Sequence, residues 1–512
     1  MLVRTFTSAV SGIDAVTITI EVNVSRGVRF LLVGLPDVAV KESQQRIESA
    51  LRVLGFHWPG KQVLINMAPA DIRKEGSSYD LPLAIGILAA DEKLSYSRLS
   101  SFVMVGELSL DGTLQPVKGV LSIAIKAREE GFKGMIVPSK NEMEAAVVEG
   151  IEVYGMSCIT DVVDFFNGTR NFSPVKVDIN QIFASEANRY DVDFSDVRGQ
   201  ENVKRALEVA AAGGHNVLMI GPPGAGKTML AKRLCTIIPA LTLEEALETT
   251  KIHSVAGKID DHTALMTKRP FRSPHHTISD VALVGGGTYP QPGEISLGHN
   301  GVLFLDELPE FKRTVLEVMR QPLEDRVITI SRAKSTVDYP ASFMLIASMN
   351  PCPCGFHNHP EKECVCSPGM VQKYLNRISG PLLDRIDIQI EVTPVNYEKL
   401  AATAKTEPSS AVRERVVKAR EIQGSRFSSV KGIYTNSQMT ASMQRKFCRL
   451  DEMSGKLLKT AMEVRGLSAR AYDRILKVAR TIADLAGSEN ILAEHLSEAI
   501  NYRNLDRDGW AG

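Results

Sequence analysis

Gly221-Pro222-Pro223-Gly224-Ala225-Gly226-Lys227-Thr228 is the stretch on which the reading of this chain turns. It follows an apolar, strand-like run at 216–220 and opens a helical pattern at 228–234. A strand, a glycine-rich turn and a helix start, in that order, make a cradle for phosphate. The glycines let backbone N–H groups turn toward an anion at the positive end of a helix dipole. Lys227 is placed to reach the β- and γ-phosphates of a nucleotide, and the Thr228 hydroxyl to ligate Mg²⁺. All eight positions and both flanks agree, so ATP with Mg²⁺ is the expected ligand.

Two further strands extend the site. Gly301-Val-Leu-Phe-Leu-Asp306-Glu307 is an apolar run ending in two carboxylates. Asp306 can hold Mg²⁺ through water, and Glu307 can polarise an attacking water. The run 343–349 ends in Asn350-Pro351, where the amide can orient the same water. Taken alone, each has a plainer reading: a surface strand end for Asp-Glu, a turn for Asn-Pro. The phosphate loop upstream favours the catalytic one.

The chain has 512 residues, room for about three domains. Hydrophobic residues at 44% and charged residues at 23% exclude wholesale disorder and low-complexity fibres. Lys+Arg and Asp+Glu are both 60, yet the charge is uneven. Residues 395–512 carry 20 Lys+Arg against 14 Asp+Glu, which leaves 40 against 46 for 1–394. The basic helical segments 413–426 and 445–449 are therefore nominated as polyanion contacts. Apolar runs such as 81–90 fall short of the roughly 18–20 residues of a membrane span. Asp14 interrupts any signal-like segment, so a cytosolic protein is expected. Seven cysteines cannot all pair, and disulfides are not expected in a reducing compartment.

Three blocks follow from the patterning. Residues 1–170 mix alternating and helical periodicities, and the polar stretch 171–194 reads as a linker. Residues 195–395 alternate strands and helices around the nucleotide chemistry. Residues 396–512 show 3.6-residue apolar periodicity and read as helical. Within the middle block, 325–341 alternates on either side of Arg332-Ala-Lys334-Ser and reads as a β-hairpin with a basic tip. That tip either faces a phosphate backbone or is simply solvated. The segment 277–289 carries a glycine triplet suited to a tight turn; His275 and His276 before it are assigned no chemistry. Cys352, Cys354, Cys364 and Cys366 form two C-x-C pairs in an insert at 351–367, with His357 and His359 as substitutes. Four thiolates can surround a structural Zn²⁺, and the alternative is free or redox-active thiols. A catalytic zinc is not expected, since four sulfurs leave no open position.

At this point the sequence resembles a known family. Asp196-Val-Arg-Gly-Gln200, the phosphate loop, Arg269-Pro-Phe-Arg-Ser-Pro-His-His276, Pro292-Gly-Glu-Ile-Ser-Leu297, Asp306-Glu307, Asn350-Pro351 and Leu382-Leu-Asp-Arg-Ile-Asp387 resemble AAA+ ATPases of the magnesium-chelatase-like branch. Over the whole chain the order of parts is similar to the ComM/YifB-like competence family. Residues 1–169 resemble the Lon proteolytic domain through Lys74-Glu-Gly-Ser-Ser-Tyr-Asp-Leu81 and Gly106-Glu-Leu-Ser-Leu-Asp-Gly112. The implied fold class is α/β. A ribosomal-protein-S5-like (Lon protease-like) domain precedes an AAA+ P-loop NTPase core with a helical C-terminal lid.

The resemblance implies roles. Arg385 falls at the arginine finger, which would reach ATP on a neighbouring subunit, with Arg377 a nearby competitor. Arg470 falls at the second sensor arginine. The hairpin and the 277–289 insert would point into the pore of a hexameric ring, bringing Arg332 and Lys334 to DNA. The implied activity is a helicase that promotes branch migration as single-stranded DNA is integrated. Ser78 falls at the Lon nucleophile, but the position of the lysine base holds Leu121. Lys118 and Lys126 would need a register shift to replace it, so proteolysis is not expected. Two rivals stay open. One is a magnesium-chelatase motor subunit, which normally lacks the Lon-like block; the other is a protein-remodelling ATPase.

Overall fold

A computed structural model describes residues 1–186, 190–260, 263–287, 290–332, 335–357, 359, 361–395, 406–430 and 432–503. Lys334 lies outside the described residues. Arg332 ends a strand.

Leu2–Ser11 and Asp14–Ser25 alternate apolar and polar residues, and they pair antiparallel in register from Leu2–Asn23 to Ser11–Asp14. They sit inside a seven-stranded sheet in the order Phe30–Val33, Gln62–Ala68, Asp14–Ser25, Leu2–Ser11, Phe102–Met104, Gly134–Pro138, Glu152–Met156. Its last three strands are apolar and parallel, so they need cover on both faces. Helix Asp80–Ala90 is buried at every position, which explains why its sequence shows no polar face.

The 171–194 stretch is not bare connecting chain. It holds helix Ile179–Glu186, and Ile179, Ile182 and Phe183 pack with Val147, Leu241 and Ala246. Three or four apolar residues spaced for a single helical turn are too few to stand out in a polar stretch.

The middle block is a five-stranded parallel sheet in the order Phe271–Arg272, Val302–Leu305, Met344–Met349, Val217–Ile220, Ile388–Glu391. Val302–Leu305, Met344–Met349 and Val217–Ile220 are buried throughout. Leu305 stands opposite Ala347, and Ile220 opposite Met349. This register brings Asp306, Asn350 and Gly221 to one sheet edge. Parallel α/β sheets bind ligands at the carboxyl ends of their strands. Strands Val327–Arg332 and Ser335–Pro340 pair antiparallel, as expected for a hairpin. Ile328, Ile330 and Tyr339 at its base are buried in the same cluster as Leu305 and Leu308. In the 277–289 insert, helix Asp280–Val284 leads into Gly285–Gly286, which pairs with Gln291–Pro292.

Helices Ser409–Phe427, Ala441–Phe447, Glu452–Arg465, Ala469–Leu485 and Ala493–Asn501 close the chain. Val412, Val416 and Ile475 share one core with Ala206, Val209 and the sheet strand residues Val217 and Ile388. The lid is therefore welded to the sheet rather than perched on it. A buried polar seam runs through the junction. Asp387 lies 3.4 Å from His215 Nδ1 and 3.0 Å from Arg474 Nη1, and it accepts from the Asn216 N–H at 3.0 Å. Burial opposes ionisation of Asp387, but Arg474 and His215 outweigh it and hold the carboxyl well below its usual range.

Four arginines of the basic segment 413–426 are engaged by the chain's own groups, while Lys418 stays exposed beside Glu414. Arg413 donates to Thr236 O at 2.8 Å, and Arg420 to Ala211 O at 2.7 Å. Arg415 pairs with Glu208 and Glu407, and Arg426 with Asp484 at 2.6 Å. Net charge counted along a sequence cannot tell an arginine that faces solvent from one that ties helices together.

Candidate active site

Gly224 and Gly226 adopt φ of +80° and +88°, in the left-handed region that lets the loop turn its N–H groups one way. Lys227 then starts helix Lys227–Leu234. Its ammonium donates to Gly221 O at 2.6 Å, Pro222 O at 3.0 Å and Asn350 Oδ1 at 3.1 Å. Burial lowers the Lys227 pKa, against the opposing pull of Asp306 and Glu307. The ammonium thus rests on two carbonyls of its own loop and on the Asn350 amide.

The Thr228 hydroxyl donates to Asp306 Oδ2 at 2.7 Å, and Ser348 Oγ donates to Asp306 Oδ1. Two hard oxygen ligands from two elements, already in contact, suit Mg²⁺. Glu307 has φ +55°, a strained conformation for a residue with a side chain. Its carboxylate is more than half exposed and lies 3.4 Å from His276 Nδ1. Pro223, Gly224, Ala225, Gly226, Lys227, Thr228, Asp306, Glu307 and Asn350 line one cavity of about 410 Å³. The three motifs separated in sequence are one site in space.

Arg385 and Arg470 are elsewhere. The Arg385 carbonyl accepts from Asn216 Nδ2 at 3.2 Å. Asn216 precedes the strand whose far end is the phosphate loop, so Arg385 sits at the opposite end of the sheet. Its guanidinium pairs with Glu324 at 2.6 Å, and Arg470 pairs with Asp384 at 3.1 Å, one residue from Arg385. Arg377 pairs with Glu310 at 2.9 Å. Neither Arg385 nor Arg470 belongs to the chain's own phosphate-loop cavity.

Three residues of the site were not assigned roles from sequence. Gln200, at φ +58°, donates from Nε2 to Ala225 O at 2.8 Å and Thr393 O at 3.1 Å, bracing the loop from behind. Ser348 and His276 are the others. Ser348 lies two residues before Asn350 on its strand, a spacing that could have placed it beside Asp306.

The four insert cysteines converge. Their Sγ atoms lie within 4.8 Å of one another, the arrangement a single metal ion needs. His359 Nδ1 accepts from the Glu361 and Lys362 N–H groups and so shapes the loop.

The N-terminal block has a cavity of its own, about 540 Å³, lined by Ser77, Ser78, Glu107 and Lys118 and by Pro290 and Gln291 of the core. Leu121 is fully buried in the hydrophobic core. Lys126 pairs with Glu130 at 3.2 Å. Among the described residues no hydrogen bond joins Ser78 to a lysine.

Comparisons with known proteins agree with this geometry. Residues 193–400 match the family model described as magnesium chelatase, subunit ChlI, and 406–503 match the model of its C-terminal part. Residues 20–141 match a model described as subunit ChlI of Mg-chelatase. The chain is 45% identical over 505 residues to competence protein ComM of Haemophilus influenzae, covering 98% of this chain and 97% of that protein. It is 44% identical over 504 residues to YifB of Escherichia coli, again covering 98% and 97%. Lon protease 2 of Bacillus subtilis is 34% identical over 154 residues, 27% of this chain and 26% of that protein. The chain belongs to the ComM/YifB family of magnesium-chelatase-like AAA+ ATPases, with a Lon-like α/β domain ahead of the P-loop core and a helical lid behind it.

Proposed function

We propose that the protein is a ring-forming, ATP-driven motor that acts on DNA, a helicase promoting branch migration during recombination. The observation that carries the reading is the packing of the hairpin base against the strand that ends at Asp306. Strands Val327–Arg332 and Ser335–Pro340 lie in the chain between the carboxylate strand and the Asn350 strand. Their base is buried with Leu305 and Leu308, which flank Asp306 and Glu307. In this reading a change at the γ-phosphate would shift the hairpin, and with it the basic Arg332-Ala-Lys334 stretch of the sequence toward a phosphate backbone.

In this reading Lys227 holds the β- and γ-phosphates and Asn350 orients the attacking water. Glu307 accepts that water's proton. Thr228 and Asp306 would hold Mg²⁺, which supplies charge neutralisation at the phosphates. Arg385 and Arg470 sit away from their own site, which suits arginines acting on the ATP of a neighbouring subunit in a hexamer. Cys352, Cys354, Cys364 and Cys366 hold a structural Zn²⁺. Among the described residues no helix is long and apolar enough to cross a membrane, and the cytosol is the proposed location. The name of the Haemophilus relative points to competence, hence to integration of transforming DNA.

The test is ATP hydrolysis with and without forked DNA. Stimulation that is lost in the Arg332→Ala/Lys334→Ala protein supports the motor. A protein whose hydrolysis ignores DNA, and which binds none, is a chelatase-type or protein-remodelling ATPase instead.

A further inference from the structure

The insert at 351–367 lies against the nucleotide site, and its placement gives the cysteine cluster a consequence. Sulfur-to-sulfur distances are 3.3 Å for Cys352–Cys354, 3.7 Å for Cys352–Cys364 and 3.6 Å for Cys354–Cys364. Four sulfurs at about 2.3 Å from one zinc ion would stand about 3.8 Å apart, close to these values. The sulfurs are also supported from behind. The His357 N–H donates to Cys352 Sγ at 3.3 Å. Backbone donors aimed at ligand sulfurs orient them and spread their charge.

The knuckle touches the ATP site at three places. Cys352 is two residues beyond Asn350 and fully buried in the cluster that holds Ile220 and Met349. The Gly221 N–H donates to Met349 O at 3.2 Å, so the start of the phosphate loop hangs on the same strand end. Gly355, at φ +85°, packs so closely on the loop that a Cβ there would stand 2.5 Å from Pro223 Cδ. On the far side, helix Pro368–Leu375 follows the second cysteine pair and buries Tyr374 in the same cluster as Met349 and Cys352. The insert is a bracket around Asn350 and Pro223, and its two arms meet at the four sulfurs.

We infer that Zn²⁺ bound by Cys352, Cys354, Cys364 and Cys366 closes this bracket and sets nucleotide affinity by pressing Gly355 on Pro223 and fixing Asn350. This rests on the nucleotide and zinc readings above and adds the coupling between them. The loop between the pairs has little apolar content with which to hold itself, so metal binding provides its order. All four ligands come from the protein and leave no open position, so the metal positions residues and does not react.

The test uses the full-length protein and two variants, with zinc measured by elemental analysis and ADP affinity by titration. Wild type should hold about one zinc per chain. Cys364→Ser/Cys366→Ser should lose the metal and bind ADP about tenfold more weakly. Gly355→Ala should keep the metal and weaken ADP binding similarly, because it removes none of the four sulfurs while its Cβ collides with Pro223 and its left-handed backbone is strained. Wild type that lacks zinc and takes none from added ZnCl₂ overturns the inference. So does wild-type ADP affinity in the Gly355→Ala protein, a readout that holds even where the cysteine variant fails to fold. Wild type that holds zinc but binds no nucleotide instead brings down the phosphate-loop reading, and the coupling with it.

Discussion

Two cavities in this chain are lined by residues of catalytic type, and they differ in how their groups are joined. In the phosphate-loop cavity the polar groups other than Glu307 are tied to one another. Lys227 reaches Asn350, Thr228 reaches Asp306, and Asp306 is braced by Ser348. In the N-terminal cavity Ser77 donates to Glu107, but no lysine hydrogen-bonds Ser78 among the described residues. The position that would hold a base is Leu121, buried in the core. A nucleophile needs a base within hydrogen-bond reach, whereas a phosphate site needs donors and oxygens preset around an anion. The phosphate-loop cavity shows the second arrangement, and among the described residues the N-terminal cavity shows no lysine bonded to Ser78. Catalytic residue types are thus a weak guide until the bonds between them are seen.

The contrast can be broken most severely at the loop. Lys227→Ala should bring ATP hydrolysis to background and abolish nucleotide binding; hydrolysis that survives would remove the site assignment. Glu307→Gln should lower turnover by about 10³–10⁴-fold while leaving ATP bound. That split between binding and rate separates the base from the phosphate holders. Arg385→Ala should cost on the order of 10³-fold in turnover, again with binding intact. Mixing Arg385→Ala with Lys227→Ala protein should restore some activity, since intact sites can form between unlike subunits. No recovery would place Arg385 in a structural role with Glu324.

A smaller effect is expected at the lid junction, measured as stability. Asp387→Asn leaves Arg474 without its buried partner and should cost about 3 kcal/mol. The wild-type contribution has a definite pH sign. The folded pKa lies below the unfolded value of about 3.9, so the stabilisation is complete above that value. It is lost as pH falls through the lower folded pKa. Thermal melts of wild type and Asp387→Asn should therefore converge in acid; parallel curves down to the acid limit would contradict the seam. The smallest effect belongs to the N-terminal cavity. Ser78→Ala should change neither ATP hydrolysis nor casein cleavage, and a cleavage activity lost with Ser78 would erase the comparison.

The parts that could be read from sequence were those in which chemistry is local. The loop from Gly221 to Thr228 states its own backbone and its own ligand. Apolar strands ending in Asp306-Glu307 and Asn350 also declare themselves, because a parallel strand must be apolar throughout. Gln200 could not be read this way: its hold on Ala225 depends on a left-handed turn that one Gln does not announce. The arginines of 413–426 misled for a related reason, since their carbonyl and carboxylate partners lie some two hundred residues away for Arg415 and Arg420. The helix at Ile179–Glu186 was hidden because its partners, Val147 and Leu241, flank it from two different blocks.

The central claim is that ATP hydrolysis at the phosphate loop drives work on DNA. Strand displacement from a branched DNA substrate tests it most directly, with wild type and Glu307→Gln assayed side by side. The account predicts displacement that requires ATP and disappears in Glu307→Gln although that protein still binds the DNA. A wild-type protein that hydrolyses ATP at full rate yet displaces no strand, with or without the variant's help, would contradict it.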